Sequence, residues 1–405
     1  MVFVNPDFHM RGDLVNELFD RVPVIVARDT NIAPEIYGWR KIYTPFNYTK
    51  IEYKDGQGMT FWVRHDREDV ILALGGKVPQ QPRKKLRIFF PITHDQLGKS
   101  VLAAFKHLGH ALVVPGTSFQ QNSQGPRISE YCLFCPKEKE KRPLFLQDDQ
   151  VEVIENNEIF QNPPDVMFIT WSVHELDIYD IHQKIKNTTK LVYFTGNENE
   201  VYHKKVENFL VLGSIARYIF PDAHTLAWIP WIDFDGLTFE EPLEERFIIN
   251  SYLAERYQHP HLKSDGELFE SYVGKFFHDA SIQINNYGGL PYENIVNLIR
   301  DSQATVHIKS LEGFGYSVME SLSRGRPVFL KRSFALEKAM MNWCIEGKTA
   351  LFFDSYEEFK TKLELFIADI QFRKSLQTTS AETVRRIVNN DQQARKLQYF
   401  LEHLK

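Results

Sequence analysis

Short, almost continuous apolar runs alternate along this chain with stretches whose apolar positions recur every three or four residues. The first kind reads as strands covered on both faces, the second as helices packed on one side. From Leu86, LRIFFPI reads as a strand, THDQLGK as a polar turn, SVLAAFKHLG as a helix and ALVV as a second strand. Ser100 is the expected N-cap of that helix and Gly109 its terminator. DVMFIT from Asp165, KLVYFT from Lys190 and NFLVLGS from Asn208 continue the strands of this layer.

A second series starts near residue 246. RFIIN, SIQIN, ATVHIK and RPVFL read as strands, and DGELFESYVGKFFHD, PYENIVNLIRDS and SVMESLSRG as the helices between them. The tail from Ser355 to Lys405 is largely helical by the same test. Such alternation implies an α/β chain with two doubly wound, Rossmann-like domains in series, hinged near residues 230–245. Residues 1–80 read differently. RVPVIVAR and GMTFWVRH are strands separated by aromatic loop sequence, DREDVILALGG is a short helix, and KVPQQPRKK is a linker.

Composition narrows the class. The 405 residues give room for two or three domains, and 48 Lys and Arg against 53 Asp and Glu leave a net charge of -5. That balance argues against a surface built as a whole for nucleic acid. Residues 81–142 depart from it, with 11 basic and four acidic side chains, a local charge of +7. This stretch fits anionic lipid, a polyanionic glycan, nucleic acid or a solvated face. Cys132 and Cys135 form a CxxC with no second pair to complete a zinc site, so they read as small apolar side chains near a turn. No run of about 18 apolar residues and no leader pattern is present, so a cytoplasmic location is expected, with peripheral membrane contact left open.

The densest chemistry lies in VHIKSLEGFGYSVMESLSRGRPVFL, Val306 to Leu330. An apolar strand runs into Glu312, Gly313, Phe314, Gly315 and Tyr316, and a helix is expected from about Ser317. Loops at the carboxyl ends of such strands are where open α/β sheets bind ligands, and helix N-terminal amides suit phosphate. Ser317 and Glu320 also have the spacing of a capping box, which needs no ligand.

Glu312 and Glu320, a carboxylate pair separated by seven residues with EGFG at the first and GRPVF following, closely resemble the donor signature of retaining GT-B glycosyltransferases, above all the large family 4. LGHALVV at Leu108 to Val114, AWIPWIDFDGLTF at Ala227 to Phe239 and GKTALFFDSYEEF at Gly347 to Phe359 are similar to other segments of that family. The resemblance implies two Rossmann-like domains facing across a cleft. Residues 1–230 would be the acceptor side with 1–80 as a variable part, 231–385 the nucleotide-sugar side, and 386–405 a helix packing back on the first domain.

The resemblance also implies roles. Glu320 would accept from the donor ribose hydroxyls, Glu312 would contact the sugar hydroxyls, and the amides of Gly315, Tyr316 and Ser317 would lie near the distal phosphate or the sugar, with Gly313 and Phe314 in the same donor-binding loop. Arg256 and Lys263 would neutralise the diphosphate. Tyr287 and Gly288 would meet the base, and Gly98 the phosphate or sugar. His174 would reach the cleft from the first domain, and His94 or Asp95 the acceptor. The implied activity is a hexosyltransferase-like transfer with retention, without a metal or other cofactor, from a UDP- or GDP-sugar. The acceptor, whether glycan, protein, lipid or small molecule, is not identified by any residue. A glycan-binding or scaffold protein on the same fold, or another GT-B enzyme such as an epimerase, is the competing reading.

Overall fold

A computed structural model describes residues 1–4, 11–19, 21–32, 37–39, 42–45, 48–77, 85–93, 95–121, 132–170, 175–195, 206–212, 224–242, 247–251, 263–280, 282–286, 292–310, 314–336 and 338–405. Among these residues the strands form three sheets.

The largest sheet has seven parallel strands in the order His224–Trp228, Asn208–Leu212, Lys190–Thr195, Val166–Thr170, Arg87–Phe89, Ala111–Pro115, Val151–Ile154. The chain starts in the middle, winds to one edge, then returns to build the other side. This is the doubly wound order, and it leaves a crevice at the carboxyl ends of Arg87–Phe89 and Val166–Thr170, where the winding reverses. Strands Asn208–Leu212, Val166–Thr170 and Ala111–Pro115 are buried throughout, which explains their uninterrupted apolar runs, while the edge strands His224–Trp228 and Val151–Ile154 are only partly buried.

The second sheet has five parallel strands, Gln283–Asn286, Ile248–Ser251, Ala304–His307, Val328–Lys331 and Ala350–Phe353 in that order. It reverses between Ile248–Ser251 and Ala304–His307, so its crevice opens where Ala304–His307 enters the glutamate signature. Gln303, Thr305 and Ser321 are buried beside it, and Thr305 and Ser321 share a hydrogen bond of 2.9 Å.

Residues from 2 to 64 form a separate four-stranded sheet, ordered Val2–Val4, Val24–Arg28, Met59–Arg64, Tyr48–Tyr53. Its two faces carry their own small cores, one around Trp62 and Tyr48, the other around Val63 and Ile71. Tyr48–Tyr53 is a strand where the sequence reads as loop; its outer residues are exposed, so the alternation that marks a half-buried strand is weak.

The first helix of the seven-stranded layer starts at Asp95, not at Ser100. Leu97 and Gly98 are already on its buried face, four and three residues ahead of Val101, so the apolar period begins inside what reads as a polar turn. Gly109 does end it, with φ 75°. The final helix, Asn390–Glu402, lies against strand His224–Trp228 and helix Asp95–His107. Gln398 bonds His110 at 2.9 Å, Asn390 and Gln393 bond the backbone at Ile232 and Ile229, and Phe400 stacks on His224 at 4.8 Å.

Candidate active site

The two switch points supply the two walls of one cleft. Helix Asp95–His107, from the first sheet, presents Gln96, Lys99, Ser100 and Ala103, one turn apart along a single face. Helix Tyr316–Ser323, from the second, presents Tyr316 and Glu320. Trp231, Ile232, Asp233 and Leu237 of the connecting segment close the floor, and together these residues line a cavity of about 360 Å³.

The second wall is built around unusual backbone. Gly315 is the N-cap residue of helix Tyr316–Ser323 and sits at φ 80°, ψ 56°, the left-handed region that a glycine enters without a Cβ penalty. Just before it, Phe314 is buried with its ring 4.8 Å from Tyr316 and 4.9 Å from Trp343. The helix therefore starts one residue before Ser317, and no side chain caps it. That removes the capping box: Ser317 is inside the helix, and Glu320 lies a turn in, only 8% exposed, on the cleft side. The first-turn amides have no acceptor within the helix, and the positive end of its dipole lies there.

Burial drives the Tyr316 phenol upward, the Ser100 hydroxyl opposes this and the charge on Glu320 adds to it. Tyr316 thus stays protonated at any physiological pH and meets Ser100 across the cleft.

The end of the same helix is as closely specified. Gly325 has φ 73°, and a Cβ there would meet Phe239 at 2.3 Å and the Gln377 carbonyl at 2.7 Å. Arg326, 0% exposed, donates from Nε to the Ile299 carbonyl at 3.0 Å, from Nη1 to that of Arg324 at 2.7 Å, and from Nη2 to that of Arg300. Ile299 and Arg300 lie in the last turn of helix Tyr292–Asp301, so the guanidinium closes that helix's negative end. Burial lowers its pKa to about 10.

The family description "Glycosyl transferases group 1" matches residues 277–383, the stretch that contains both signature glutamates. HepE of Anabaena in complex with UDP-glucose is similar in structure at 11% identity, with a TM-score of 0.55 over 80% of this chain and 100% of that one. A glycosyltransferase of Rickettsia africae is similar at 12% identity, with a TM-score of 0.53 over 79% of this chain and 99% of that one. The chain has the GT-B glycosyltransferase fold. No curated protein sequence matches it.

Within this GT-B fold the expected site residues fall into three groups. Gly315, Tyr316, Ser317 and Glu320 come together at the start of one helix, with Phe314 buried behind them as an anchor. Lys263 begins helix Lys263–Phe269 with its side chain 75% exposed and Glu267 4.0 Å away, a geometry that solvated surface pairs share. Gly98 faces inward, where a Cβ would meet Ile92 at 2.9 Å and Phe145 at 3.1 Å, so close packing accounts for that glycine. Asp95 is the exposed first residue of its helix. Glu312, Gly313, Arg256, His174, His94, Tyr287 and Gly288 lie outside the described residues.

Sequence reasoning missed Gln96, Lys99, Trp231 and Asp233, which line the cavity. For Gln96 and Lys99 the only signal was the polar face of an amphipathic helix, and that is the face any helix turns to water; Trp231 and Asp233 lie in AWIPWIDFDGLTF, which carried a resemblance but no role. The +7 interval also looks different in three dimensions. Lys106 pairs with Asp148 at 2.6 Å, Arg87 with Glu152 at 2.8 Å, Lys137 with Glu158 and Lys139 with Asp149. The following acidic segment answers these positive charges. Cys132 and Cys135 are buried, and desolvation raises their thiols to about 12 and about 11. They are packing residues, as the lone CxxC suggested. Among the described residues no group of three or more His, Cys, Asp or Glu could hold a metal, and no helix is long and apolar enough to cross a membrane.

Proposed function

We propose that the chain is a retaining glycosyltransferase that moves a sugar from a nucleoside diphosphate donor, most simply a UDP-sugar, to a hydroxyl acceptor without a metal. In this reading residues 1–230 carry the acceptor side and 231–385 the donor side. The observation that carries it is Glu320, a buried carboxylate on an interdomain cavity, set by a left-handed glycine and released from any capping duty. A carboxylate is acceptor-only and suits the paired hydroxyls of a ribose. HepE, on the same fold, is seen with UDP, with UDP and glucose, and with UDP-glucose, which supports the choice of nucleotide.

Glu312 contacts the sugar, and the first-turn amides of helix Tyr316–Ser323 stabilise the departing diphosphate without having to reorganise. The bond from the anomeric carbon to the phosphate oxygen breaks as the acceptor oxygen bonds to the same face. The acceptor proton passes to the leaving phosphate oxygen. Closure of the two walls excludes water, whose attack would give hydrolysis instead.

Calorimetric titration with UDP, GDP and ADP, then with UDP-glucose, tests the reading. Selective binding of one diphosphate is expected. Glu320→Gln is expected to weaken that binding about tenfold to a hundredfold, as charge-assisted hydrogen bonds of about 1.5–3 kcal/mol are lost, with the melting temperature unchanged. Lost stability at unchanged affinity would make Glu320 a structural residue and reject the site.

A further inference from the structure

The floor of the cleft is neither helix nor strand, yet its backbone is pinned. Ile232 is 4% exposed, and the Asn390 carboxamide accepts from its amide at 3.0 Å and donates to its carbonyl at 2.7 Å. The residues on either side of this pinned one, Trp231 and Asp233, both line the cavity. Trp231 is half-buried with the His107 ring 5.0 Å away, and His107 Nε2 lies 3.6 Å from the Asp391 carboxylate. Asp233 Oδ1 accepts from the Gly236 amide at 3.0 Å, and Oδ2 has no hydrogen-bond partner among the described residues. A Cβ at Gly236 would lie 2.5 Å from that Oδ2, so the carboxylate keeps its place only beside a glycine.

An aromatic face and an oriented carboxylate on one cavity are complementary to a pyranose. The C–H face of the sugar ring packs on an indole, and its hydroxyls donate to an acceptor-only carboxylate. The cavity, about 360 Å³, is at the small end of ligand pockets, which suits a sugar-sized group and not a bulky chain. Asp233 and Glu320 against Lys99 leave its lining negative, which disfavours a phosphorylated or carboxylated acceptor. Through His107 the indole belongs with the first domain's helix, the acceptor side of the cleft. We propose that Trp231 and Asp233 form the acceptor subsite and that the acceptor is a neutral sugar, free or at the end of a glycan. This rests on the reading of the cavity as a transferase cleft with Glu320 on the donor.

Calorimetry and saturation-transfer NMR are to be run on the full chain and on Trp231→Ala, Asp233→Ala and Gly236→Ala, with and without UDP. The probes are glucose, galactose, mannose and N-acetylglucosamine, the anionic glucuronic acid and glucose 6-phosphate, and UDP-glucose. At least one neutral sugar is expected to bind, about tenfold more tightly than either anionic one. Trp231→Ala and Asp233→Ala are each expected to weaken it about tenfold, as an aromatic contact or a charge-assisted hydrogen bond is lost, with UDP affinity within about twofold. Gly236→Ala displaces the same carboxylate and is expected to match Asp233→Ala, which serves if the latter does not fold. Tighter binding of a disaccharide ending in that sugar would assign a glycan end, and equal or weaker binding the free sugar. No neutral sugar bound, tighter binding of the anionic ones, or unchanged sugar affinity in all three variants would overturn the inference. So would a Trp231→Ala variant that loses only the affinity for UDP-glucose over UDP, since the indole would then serve the donor. Sugar binding that the variants abolish in a chain that binds no UDP would keep the sugar subsite and reject the transferase reading.

Discussion

The two walls of the cleft are made in opposite ways. The wall from the second domain is local: strand Ala304–His307, the loop, helix Tyr316–Ser323 and strand Val328–Lys331 follow one another in 28 residues, and all residues from Ser317 to Ser323 are buried. Left-handed glycines bracket its helix, and a buried arginine locks the turn that follows. The wall from the first domain is one face of an ordinary amphipathic helix, and Asp233 and Trp231 reach it from a connecting segment more than 120 residues away. A wall whose helix is buried from Ser317 to Ser323 and bracketed by left-handed glycines has little room to change. A wall made of one polar helix face changes easily. That difference fits the proposed division of the cleft into a closely specified donor side and a loosely specified acceptor side.

The largest expected effect tests how tightly the second wall is locked. Arg326→Leu leaves the carbonyls of Ile299, Arg300 and Arg324 without their donor in a buried place. A loss of about 3–5 kcal/mol in unfolding free energy is expected, against about 0.5 kcal/mol or less for Gln96→Ala on the opposite wall. Denaturant unfolding of both variants reads the contrast directly, and equal losses would dissolve it.

Next in size is Gly315→Ala. Holding an alanine at φ 80° costs about 1–2 kcal/mol, and the new methyl lies 3.4 Å from Met340 Cε. A lowered melting temperature is expected, with UDP affinity falling as the first-turn amides shift. Unchanged affinity in a folded variant would show that those amides do not serve the donor.

The same asymmetry decided what was legible in the sequence. The second wall was readable because its constraints are written within one segment: two glutamates, glycines at fixed offsets, and an apolar strand on either side. The strands of both large sheets were readable for a similar reason, since burial on two faces leaves little but apolar residues. Tyr48–Tyr53 escaped because its outer positions face water, and the start of helix Asp95–His107 because its first buried residues sit among polar ones. Lys99 escaped because nothing local distinguishes a helix face turned to a cleft from one turned to solvent, and Trp231 because it reaches that face from a connecting segment distant in sequence. The capping-box spacing of Ser317 and Glu320 was a true pattern with a false meaning, because Gly315 starts the helix earlier.

The smallest expected effect asks whether the two halves also differ in their response to acid. Burial lowers the pKa of His182 and of His224, both in the seven-stranded layer. Bonds to the carbonyls of Thr189 and Phe400 oppose the shift, while Lys186 near the first ring, and His403 and Lys405 near the second, add to it. Each imidazole is thus neutral in the fold and titrates near 6.5 once the chain unfolds, so the unfolded chain binds more protons. The stabilisation from these shifts is complete above about pH 6.5 and is lost as pH falls through the lowered folded values. Hydrogen exchange is therefore expected to rise on acidification in strands Lys190–Thr195 and Asn208–Leu212 and in the final helix, where Phe400 stacks on His224. Strand Val328–Lys331 is expected to hold over the same range. The double variant His182→Gln, His224→Gln should flatten that pH dependence. If it leaves the slope intact, other groups carry the acid response and the two domains cannot be told apart in this way.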